Sequence, residues 1–280
     1  MMHPSQIETS FIGGGNMARS LVGGLIAQGS SPACIHVAEP HAPLRDALAR
    51  DFSINVHADN ADAAKLGEVW VFATKPQVLR SVAEALAPIA QQNRPLVISI
   101  AAGISSTQLE RWLGGNLAVV RTMPNTPALL GAGATGLFAN ARVDAAQHAI
   151  AEKLMAATGL TAWIADEAQM DAVTGLSGSG PAYVFLLAEA MQAAGEAQGL
   201  DAETSRILTL QTLLGAARML VESGESAAVL RQRVTSPGGT TQAALDAFEA
   251  GGFRELVATA IAAATQRGAE LSAAHEAPGE

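Results

Sequence analysis

The chain is poor in cysteine, with Cys34 alone among 280 residues. An intrachain disulfide is therefore impossible, and a small secreted fold held together by disulfides is excluded. The sequence also shows no basic stretch followed by an apolar signal segment, and no uncharged apolar run of transmembrane length. We therefore expect a cytoplasmic protein without a membrane partner.

Aromatic residues and positive charge are also scarce. Aromatic side chains make up 4% of the residues although 49% are hydrophobic, so the core must consist mainly of Ala, Leu, Val and Ile. The net charge of -9 argues against binding to a nucleic acid, because a phosphate backbone is recognised by a basic surface. The spacing of His, Cys, Asp and Glu matches no metal site, and the six histidines are expected to be surface residues.

Up to about Ile164, short runs rich in Val and Ile alternate with segments of helical period. This alternation predicts repeated βα units and therefore an α/β fold with a doubly wound, mainly parallel sheet. The predicted strands are residues 7–12, 35–38, 69–73, 96–100, 118–121 and 134–138. The predicted helices between them are residues 17–28, 43–50, 77–90, 106–113 and 145–158.

After Asp166 the β-branched runs disappear and long Ala- and Leu-rich helical patterns follow. We expect a nucleotide-binding domain at residues 1–165, an all-helical domain at 166–272 and a flexible tail at 273–280. The predicted helices of the second domain are residues 182–198, 201–222, 242–250 and 253–272. The second of these helices is apolar on most of its sides, which indicates that it is buried. We expect a second subunit to cover it.

Residues 11–18 contain a Gly-x-Gly-x-x-Ala motif between the first predicted strand and the first predicted helix. Gly13 permits a tight turn, Gly15 lets a pyrophosphate approach the backbone, and Ala18 allows close helix packing. Such a motif is weak alone, but its position in a βαβ series is the context that dinucleotide binding requires. The alternative is a flexible glycine turn.

Glu39 lies near the end of the second predicted strand, where an acidic side chain can accept hydrogen bonds from an adenosine ribose. A carboxylate at this position favours NAD over NADP because it repels a 2′-phosphate. His41 and Arg45 are close enough in sequence to offer a compensating charge. A solvated charge at a strand end is the alternative interpretation.

Three further loops follow predicted strands, at the sheet edge where open α/β sheets bind ligands. They contain, in turn, Ala73, Thr74, Lys75 and Pro76; Ala101 and Ala102; and Asn125. A surface lysine, packed alanines and a structural turn are the alternatives.

The second domain carries two glycine-rich loops with hydroxyl side chains, at residues 174–181 and 235–241. Each precedes a predicted helix, and free amides at a helix N-terminus can bind an anion such as a carboxylate. Two capped helix starts are the alternative.

Residues 173–183 together with residues 234–241 resemble the pyrroline-5-carboxylate reductase family, and the likeness runs from Phe11 to about Glu270. The resemblance implies a Rossmann-type domain followed by a helical domain that interlocks with its twin. It also implies an interlocked homodimer, with a decamer of dimers as a further possibility, and active sites built from two subunits. The implied reaction is the reduction of L-1-pyrroline-5-carboxylate, an imino acid, to L-proline with NADPH or NADH, the last step of proline biosynthesis.

The resemblance also assigns site residues. The cofactor residues that motif and resemblance together predict are Ile12, Gly13, Gly14, Gly15, Asn16, Met17, Glu39, Asn60, Ala73, Thr74, Lys75, Pro76, Ala101, Ala102 and Asn125. The implied substrate residues are Glu167, Ser236, Gly239, Thr240 and Thr241, with Thr241 as the catalytic residue that hydrogen-bonds the ring nitrogen. Arg233 stands where the family often has asparagine. Glu39 stands where members carry serine or a basic residue.

Two other functions fit parts of the pattern. A 3-hydroxyacid dehydrogenase has a similar domain order but needs a lysine base, and no lysine follows Asp166. A nucleotide-binding sensor that dimerises without turnover is the second alternative, and the hydroxyl-bearing loops argue against it.

Overall fold

The computed structural model describes residues 7–276 and forms two compact units. The first unit ends at Ser179 and resumes at Ala263, and the second is Gly180–Ala262. The division thus falls later than the expected boundary at Ala165, because residues 166–179 pack with the sheet-bearing unit. Residues 1–6 and 277–280, the ends of the predicted domains, lie outside the described residues.

An eight-stranded sheet organises the first unit. The strands are β1 Thr9–Ile12, β2 Ile35–Ala38, β3 Asn55–His57, β4 Val69–Phe72, β5 Leu96–Ser99, β6 Val119–Met123, β7 Gly133–Ala139 and β8 Gly159–Trp163. Their order is β3-β2-β1-β4-β5-β6-β7-β8, and only the β6–β7 pair is antiparallel. This confirms the predicted Rossmann-type α/β fold, with its strand order reversing between β1 and β4.

The helices of this unit are α1 Asn16–Ala27, α2 Ala42–Phe52, α3 Asn60–Ala64, α4 Pro76–Asn93, α5 Ser106–Trp112, α6 Ala145–Met155 and α7 Met170–Val173. They cover both faces of the sheet. Along β4, Val71 belongs to a core packed by α1, α2 and α6, whereas Trp70 and Phe72 belong to a core packed by α3, α4 and α5. Burial on both faces explains why the central strands are continuous apolar runs.

β1 contains polar residues although it lies in the centre of the sheet. Ser10 is fully buried, and its hydroxyl donates a hydrogen bond of 2.6 Å to the carbonyl oxygen of Ala63. Gly67 allows this contact, because a Cβ there would lie 2.4 Å from Ser10 Oγ. The polar group is therefore satisfied locally, and the strand tolerates it.

The second unit is helical, with α8 Gly180–Ala197, α9 Ala202–Glu222, α10 Ala227–Arg233 and α11 Thr240–Ala250. Ser205 of α9 is buried and donates to the carbonyl oxygen of Gln192 in α8 at 2.7 Å. Gly195 permits this close approach of the two helices. Most apolar side chains of α8 and α9 are nevertheless exposed in the single chain, including Phe185 at 61% and Leu214 at 56%.

The last helix, α12 Phe253–Glu276, begins in the second unit and ends in the first. It continues through residues 273–276, which were expected to begin the flexible tail. Within the described residues, no helix combines the length and the apolar character needed to cross a membrane.

Candidate active site

The turn after β1 has the geometry of a dinucleotide-binding turn. Gly13 adopts a φ of 106°, and its amide donates to the carbonyl oxygen of Ala38 at 3.0 Å. A Cβ at Gly13 would lie 2.8 Å from the carbonyl oxygen of Ala73. Only glycine satisfies both the backbone angle and this close approach between the β1 and β4 loops.

The next two glycines have different surroundings. A Cβ at Gly14 would lie 2.8 Å from Leu48 Cδ1 and 2.9 Å from Glu39 Cβ, so the side chains of Leu48 and Glu39 pack directly against this residue. A Cβ at Gly15 would meet no atom within 4 Å. Gly15 is the N-cap of α1, and no side chain caps the helix there. The amides that follow, those of Asn16 and Met17, are therefore placed to bind an anion.

Thr74 follows β4 and lies beside the Gly13 turn. Its hydroxyl oxygen is buried, and it finds no hydrogen-bond partner among residues 7–276. A buried hydroxyl without a partner is costly, and a polar ligand group at this position would satisfy it. The glycine cradle and this hydroxyl together fit a dinucleotide.

The other predicted cofactor residues also follow strands of the sheet, but they differ in burial and in their position relative to the helices. Lys75 is exposed and is the N-cap of α4, with Pro76 at the first helical position. Ala101 is buried and Ala102 is exposed in the loop after β5. Asn60 is half-buried and begins α3, after the edge strand β3.

Asn125 makes its hydrogen bonds within the protein. Its amide nitrogen donates to the carbonyl oxygen of Ser177 at 3.0 Å, and its side-chain oxygen accepts from the Ala134 amide at 2.9 Å. It therefore ties the loop after β6 to two other segments. Its predicted contact with the cofactor stays a prediction.

Glu167, a predicted substrate residue, lies in a hydrogen-bonded cluster. Its carboxylate accepts from the Ser106 amide at 2.6 Å, from the Ser106 hydroxyl at 2.5 Å and from Arg121 Nη1 at 3.2 Å. Arg121 is 5% exposed, and its other terminal nitrogen lies 4.0 Å from the carboxylate of Asp171. Sequence reasoning missed Ser106 and Arg121, although a charged residue inside the apolar strand β6 is a signal of a buried ion pair.

Residues 174–178 do not form the glycine-rich loop that the sequence predicts. They form a single π-helical turn in which the Ser179 amide donates to the carbonyl oxygen of Thr174 at 2.9 Å. The hydroxyls of Thr174 and Ser177 donate backwards to carbonyls four residues earlier. The expectation of free amides at this loop is wrong, because the chain stays helical from α7 into α8.

The loop before α11 leaves the first amides of the helix without a capping side chain, because the N-cap residue is Gly239. The Gly239 amide itself is not free, since it donates to the carbonyl oxygen of Ser236 at 3.0 Å. Thr240 is exposed and Thr241 is half-buried at the start of the helix. The arrangement can bind a carboxylate at a helix N-terminus.

Two remaining expectations concern charged side chains. Arg233, at the end of α10, forms an ion pair with Glu225. His36 is buried at 8% exposure, so the expectation of surface histidines is wrong for this residue. It contacts His57 at 3.4 Å and Glu8 at 2.9 Å. In the part of the chain that the structure describes, no group of three or more His, Cys, Asp or Glu is arranged to hold a metal.

The strand order, the glycine turn and the helical second unit define a two-domain dinucleotide-dependent oxidoreductase. Residues 8–103 match the family described as NADP oxidoreductase coenzyme F420-dependent, and residues 167–271 match pyrroline-5-carboxylate reductase dimerisation. A pyrroline-5-carboxylate reductase of Pseudomonas aeruginosa is 54% identical over 94% of this chain and 96% of the relative. The chain belongs to the pyrroline-5-carboxylate reductase family.

Solved structures show the same relationship. A pyrroline-5-carboxylate reductase from Coxiella burnetii superposes with a TM-score of 0.93 at 46% identity, covering 95% of this chain and 99% of the other. The Plasmodium falciparum pyrroline carboxylate reductase, solved with NADP bound, superposes with a TM-score of 0.83 at 29% identity. Its alignment covers 96% of this chain and 99% of the other.

Proposed function

We propose that this chain reduces L-1-pyrroline-5-carboxylate to L-proline with a hydride from NADPH or NADH. Membership of the family supports the reaction. The observation that carries the proposal is the buried Thr74 hydroxyl, left without a partner among the described residues beside the Gly13 cradle. A polar group of a bound cofactor would give this hydroxyl a hydrogen-bond partner.

The cofactor would be held at the carboxyl edge of the sheet. The amides after Gly15 would bind its pyrophosphate, because α1 begins there with its positive end uncapped. Thr74 would donate or accept a hydrogen bond, and Lys75 would add a positive charge at the same edge. When bound, the reduced nicotinamide supplies the hydride.

The substrate carboxylate would bind to the amides of Thr240 and Thr241, at the turn that contains Ser236 and the N-cap residue Gly239. The imine carbon receives the hydride while the C=N bond becomes a C–N bond and the nitrogen keeps a proton. Because a protonated imine is already electrophilic, the protein needs mainly to position the reacting carbon. Thr241 would hydrogen-bond the ring nitrogen as it becomes an amine.

Glu167 would contribute to the substrate site from a fixed position. Ser106 and Arg121 hold its carboxylate by three hydrogen bonds, which limits its movement. An ionised carboxylate near the imine would stabilise the protonated nitrogen.

The helical unit supports self-association, because it matches a dimerisation family. We propose an interlocked homodimer whose active sites use residues of both subunits, with a decamer of dimers as a further assembly. The single cysteine favours a cytoplasmic location.

An assay of the purified chain tests the reaction. Pyrroline-5-carboxylate is added with NADPH or NADH, and the loss of reduced-cofactor absorbance is followed together with the formation of proline. Turnover with at least one cofactor is expected. No turnover with either cofactor would leave the nucleotide-binding sensor, whereas oxidation of a 3-hydroxyacid would favour the dehydrogenase.

The variant Thr241→Ala tests the role of the hydroxyl. Loss of one hydrogen bond that strengthens in the transition state lowers kcat by about tenfold or more, while the affinity for the cofactor should stay unchanged. Thr259→Ala is the matched control, since that exposed hydroxyl bonds only to its own helix at Glu255. Equal kcat values for Thr241→Ala and its parent would remove Thr241 from the mechanism.

A further inference from the structure

We propose that a cavity at the amino-terminal edge of the sheet is a second binding site, and that it takes an apolar α-amino acid such as phenylalanine. The cavity is lined mainly by apolar side chains, and one positive and one negative side chain lie at its rim without a partner. The proposal concerns binding alone, so it does not depend on the reaction proposed above.

The cavity lies at the end of the sheet opposite to the dinucleotide turn. Thr9 and Ile35, the first residues of β1 and β2, line it together with Glu68, which directly precedes β4. The turn at Gly13 follows the other end of β1. A strand advances about 3.3 Å per residue, so the four residues of β1 hold the two places roughly 13 Å apart. The cavity is therefore not part of the cofactor site.

Size and lining suit an apolar side chain. The cavity has a volume of about 490 Å³, which falls within the range of about 300–1,000 Å³ that small-molecule sites occupy. It lies between the sheet, the end of α1 and one side of α6, and its apolar lining comprises Ile7, Leu25, Ile35, Ile150 and Leu154. An aromatic ring that enters the cavity removes this lining from water, which favours binding.

Two opposite charges lie at the rim. Lys153, in the last turn of α6, and Glu68 both line the cavity and are exposed. Neither takes part in an ion pair within residues 7–274. The sheet fixes the main chain of Glu68, because its amide donates to the Glu8 carbonyl oxygen at 2.8 Å and its carbonyl oxygen accepts from the Leu96 amide at 3.0 Å. The rim thus offers a cation for a carboxylate and a carboxylate for an ammonium group.

The end of α1 strengthens the preference for an ammonium group. This helix ends at Ala27, between the lining residues Leu25 and Ser30, and the C-terminal end of a helix carries a partial negative charge. The carboxylate of Glu8 is already bound to His36 Nε2 at 2.9 Å. A zwitterion whose ammonium faces Glu68 and whose carboxylate faces Lys153 therefore matches the rim, while its apolar side chain fills the cavity.

Cys34 allows a site-specific test, because it is the only cysteine of the chain and lines the cavity. The rate of its alkylation by iodoacetamide is followed by mass spectrometry on the full chain at about pH 8, since burial raises the pKa of this thiol. Saturating phenylalanine should slow alkylation by about fivefold or more, because a filled cavity blocks access to the thiol. 3-Phenylpropanoate lacks the ammonium group and 2-phenylethylamine lacks the carboxylate, so each should protect less at the same concentration.

Variants connect the protection to the cavity and its charges. Ala149→Trp places a ring in the cavity from an exposed position on α6, so phenylalanine should no longer change the alkylation rate. Glu68→Gln should weaken phenylalanine binding by about threefold and leave 3-phenylpropanoate unaffected, since only the amino acid has an ammonium group. Glu152→Gln is the matched control, because it neutralises an exposed carboxylate of α6 that does not line the cavity. It should behave like the parent chain.

Equal protection by phenylalanine and 3-phenylpropanoate would overturn the proposal, as would protection by none of the three compounds. A thiol that no compound protects, but that reacts faster after removal of residues 1–6, would assign the cavity to the chain's own N-terminal segment instead. If thermal melting shows that Ala149→Trp does not fold, Ala146→Trp replaces it, because Ala146 lines the cavity from the same helix. Protection that persists in the folded tryptophan variant would also contradict the assigned site.

Discussion

Gly13 is the residue on which the nucleotide turn depends most directly. Its φ of 106° is one obstacle to any other residue, and the Ala73 carbonyl oxygen, 2.8 Å from where a Cβ would lie, is a second. A non-glycine residue with a left-handed backbone costs roughly 1–2 kcal/mol. A Cβ at Gly13, so close to the Ala73 carbonyl oxygen, would also force the loop after β4, which carries Thr74, to move.

We therefore predict that Gly13→Ala weakens cofactor binding by more than about tenfold, because it displaces both the Gly13 turn and the loop after β4 that carries Thr74. Calorimetric titration with the oxidised cofactor measures the change. Gly29→Ala is the matched control: its φ is 91°, but a Cβ there would meet nothing within 4 Å. The control should lose thermal stability and keep its affinity, and equal affinities in both variants would contradict the assigned cradle.

His57 links the stability of the fold to pH. Its pKa is lowered from 6.5 by burial, and further by the adjacent His36, against a smaller opposing effect of Asp62. The unfolded chain therefore binds a proton at this position at a higher pH than the folded chain does. Stability should consequently fall as pH drops through about 6.5.

The measurement is the free energy of unfolding by urea at pH 7 and pH 5, in the parent and in His57→Asn. The variant should lose less stability between these pH values than the parent. His41→Asn, which removes an exposed histidine, should behave like the parent. A parent and a His57→Asn variant with the same pH dependence would show that His57 titrates normally.

At the scale of elements, α5 is held by contacts from distant parts of the chain. A capping box between Ser105 and Gln108 satisfies its own first turn. Glu167 then binds Ser106 and the buried Arg121, so the start of α5, strand β6 and the segment before α7 share one carboxylate. Negative charge at a helix N-terminus adds a favourable interaction with the helix dipole.

Removing one partner of this buried pair should destabilise the fold strongly. We predict a loss of about 3 kcal/mol for Arg121→Met or Glu167→Gln, because each leaves a buried polar group without its partner. The double variant should lose less than the sum of the two single losses. Urea unfolding of the three variants measures this, and strictly additive losses would mean that the pair does not interact.

The elements also show what the sequence could predict. Strands β1, β2, β4 and β5 and helices α1 and α2 were predicted to within two residues at each end, since their signals are local periodicities. The short helix α3 was not predicted. β3 was missed because Asn55–His57 is a three-residue edge strand that is partly exposed, and β8 because its residues alternate between half-buried and exposed.

In the candidate site, too, only the features that depend on local sequence could be predicted. The glycine turn and Glu39 follow from spacing along one βαβ unit. Arg121 inside an apolar strand signals a buried ion pair, but its partners were not predictable, because Glu167 is separated from Arg121 by 46 residues and from Ser106 by 61. The prediction of a loop with free amides at residues 174–178 is wrong because this segment continues the helix, and its hydroxyls bond to the preceding helical turn.

At the scale of the whole molecule, the exposed apolar side chains of the helical unit require cover. Leu208 at 54% and Leu214 at 56% exposure project from α9, and Phe185 and Leu186 of α8 are exposed at 61% and 66%. Apolar surface of this extent marks an association surface in soluble proteins. It agrees with the match to a dimerisation family at residues 167–271.

We predict that the chain sediments as a dimer or a larger assembly, and that Leu208→Glu with Leu214→Glu shifts it toward monomer. Burying two carboxylates at an apolar interface is strongly unfavourable. Leu66→Glu is the control, with 48% exposure in the other unit. Sedimentation velocity measures the assembly state of each variant. A monomeric parent chain would refute self-association through this surface.

The central claim is that two sets of helix-terminal amides hold two anions, the cofactor phosphates after Gly15 and the substrate carboxylate at Thr240 and Thr241. A crystal structure of the chain with oxidised cofactor and proline tests it most directly. We predict the proline carboxylate within about 3 Å of those amides, with the ring facing a nicotinamide bound by the same or the partner subunit. A proline carboxylate bound elsewhere, with the turn before α11 remote from every nicotinamide, would contradict the account.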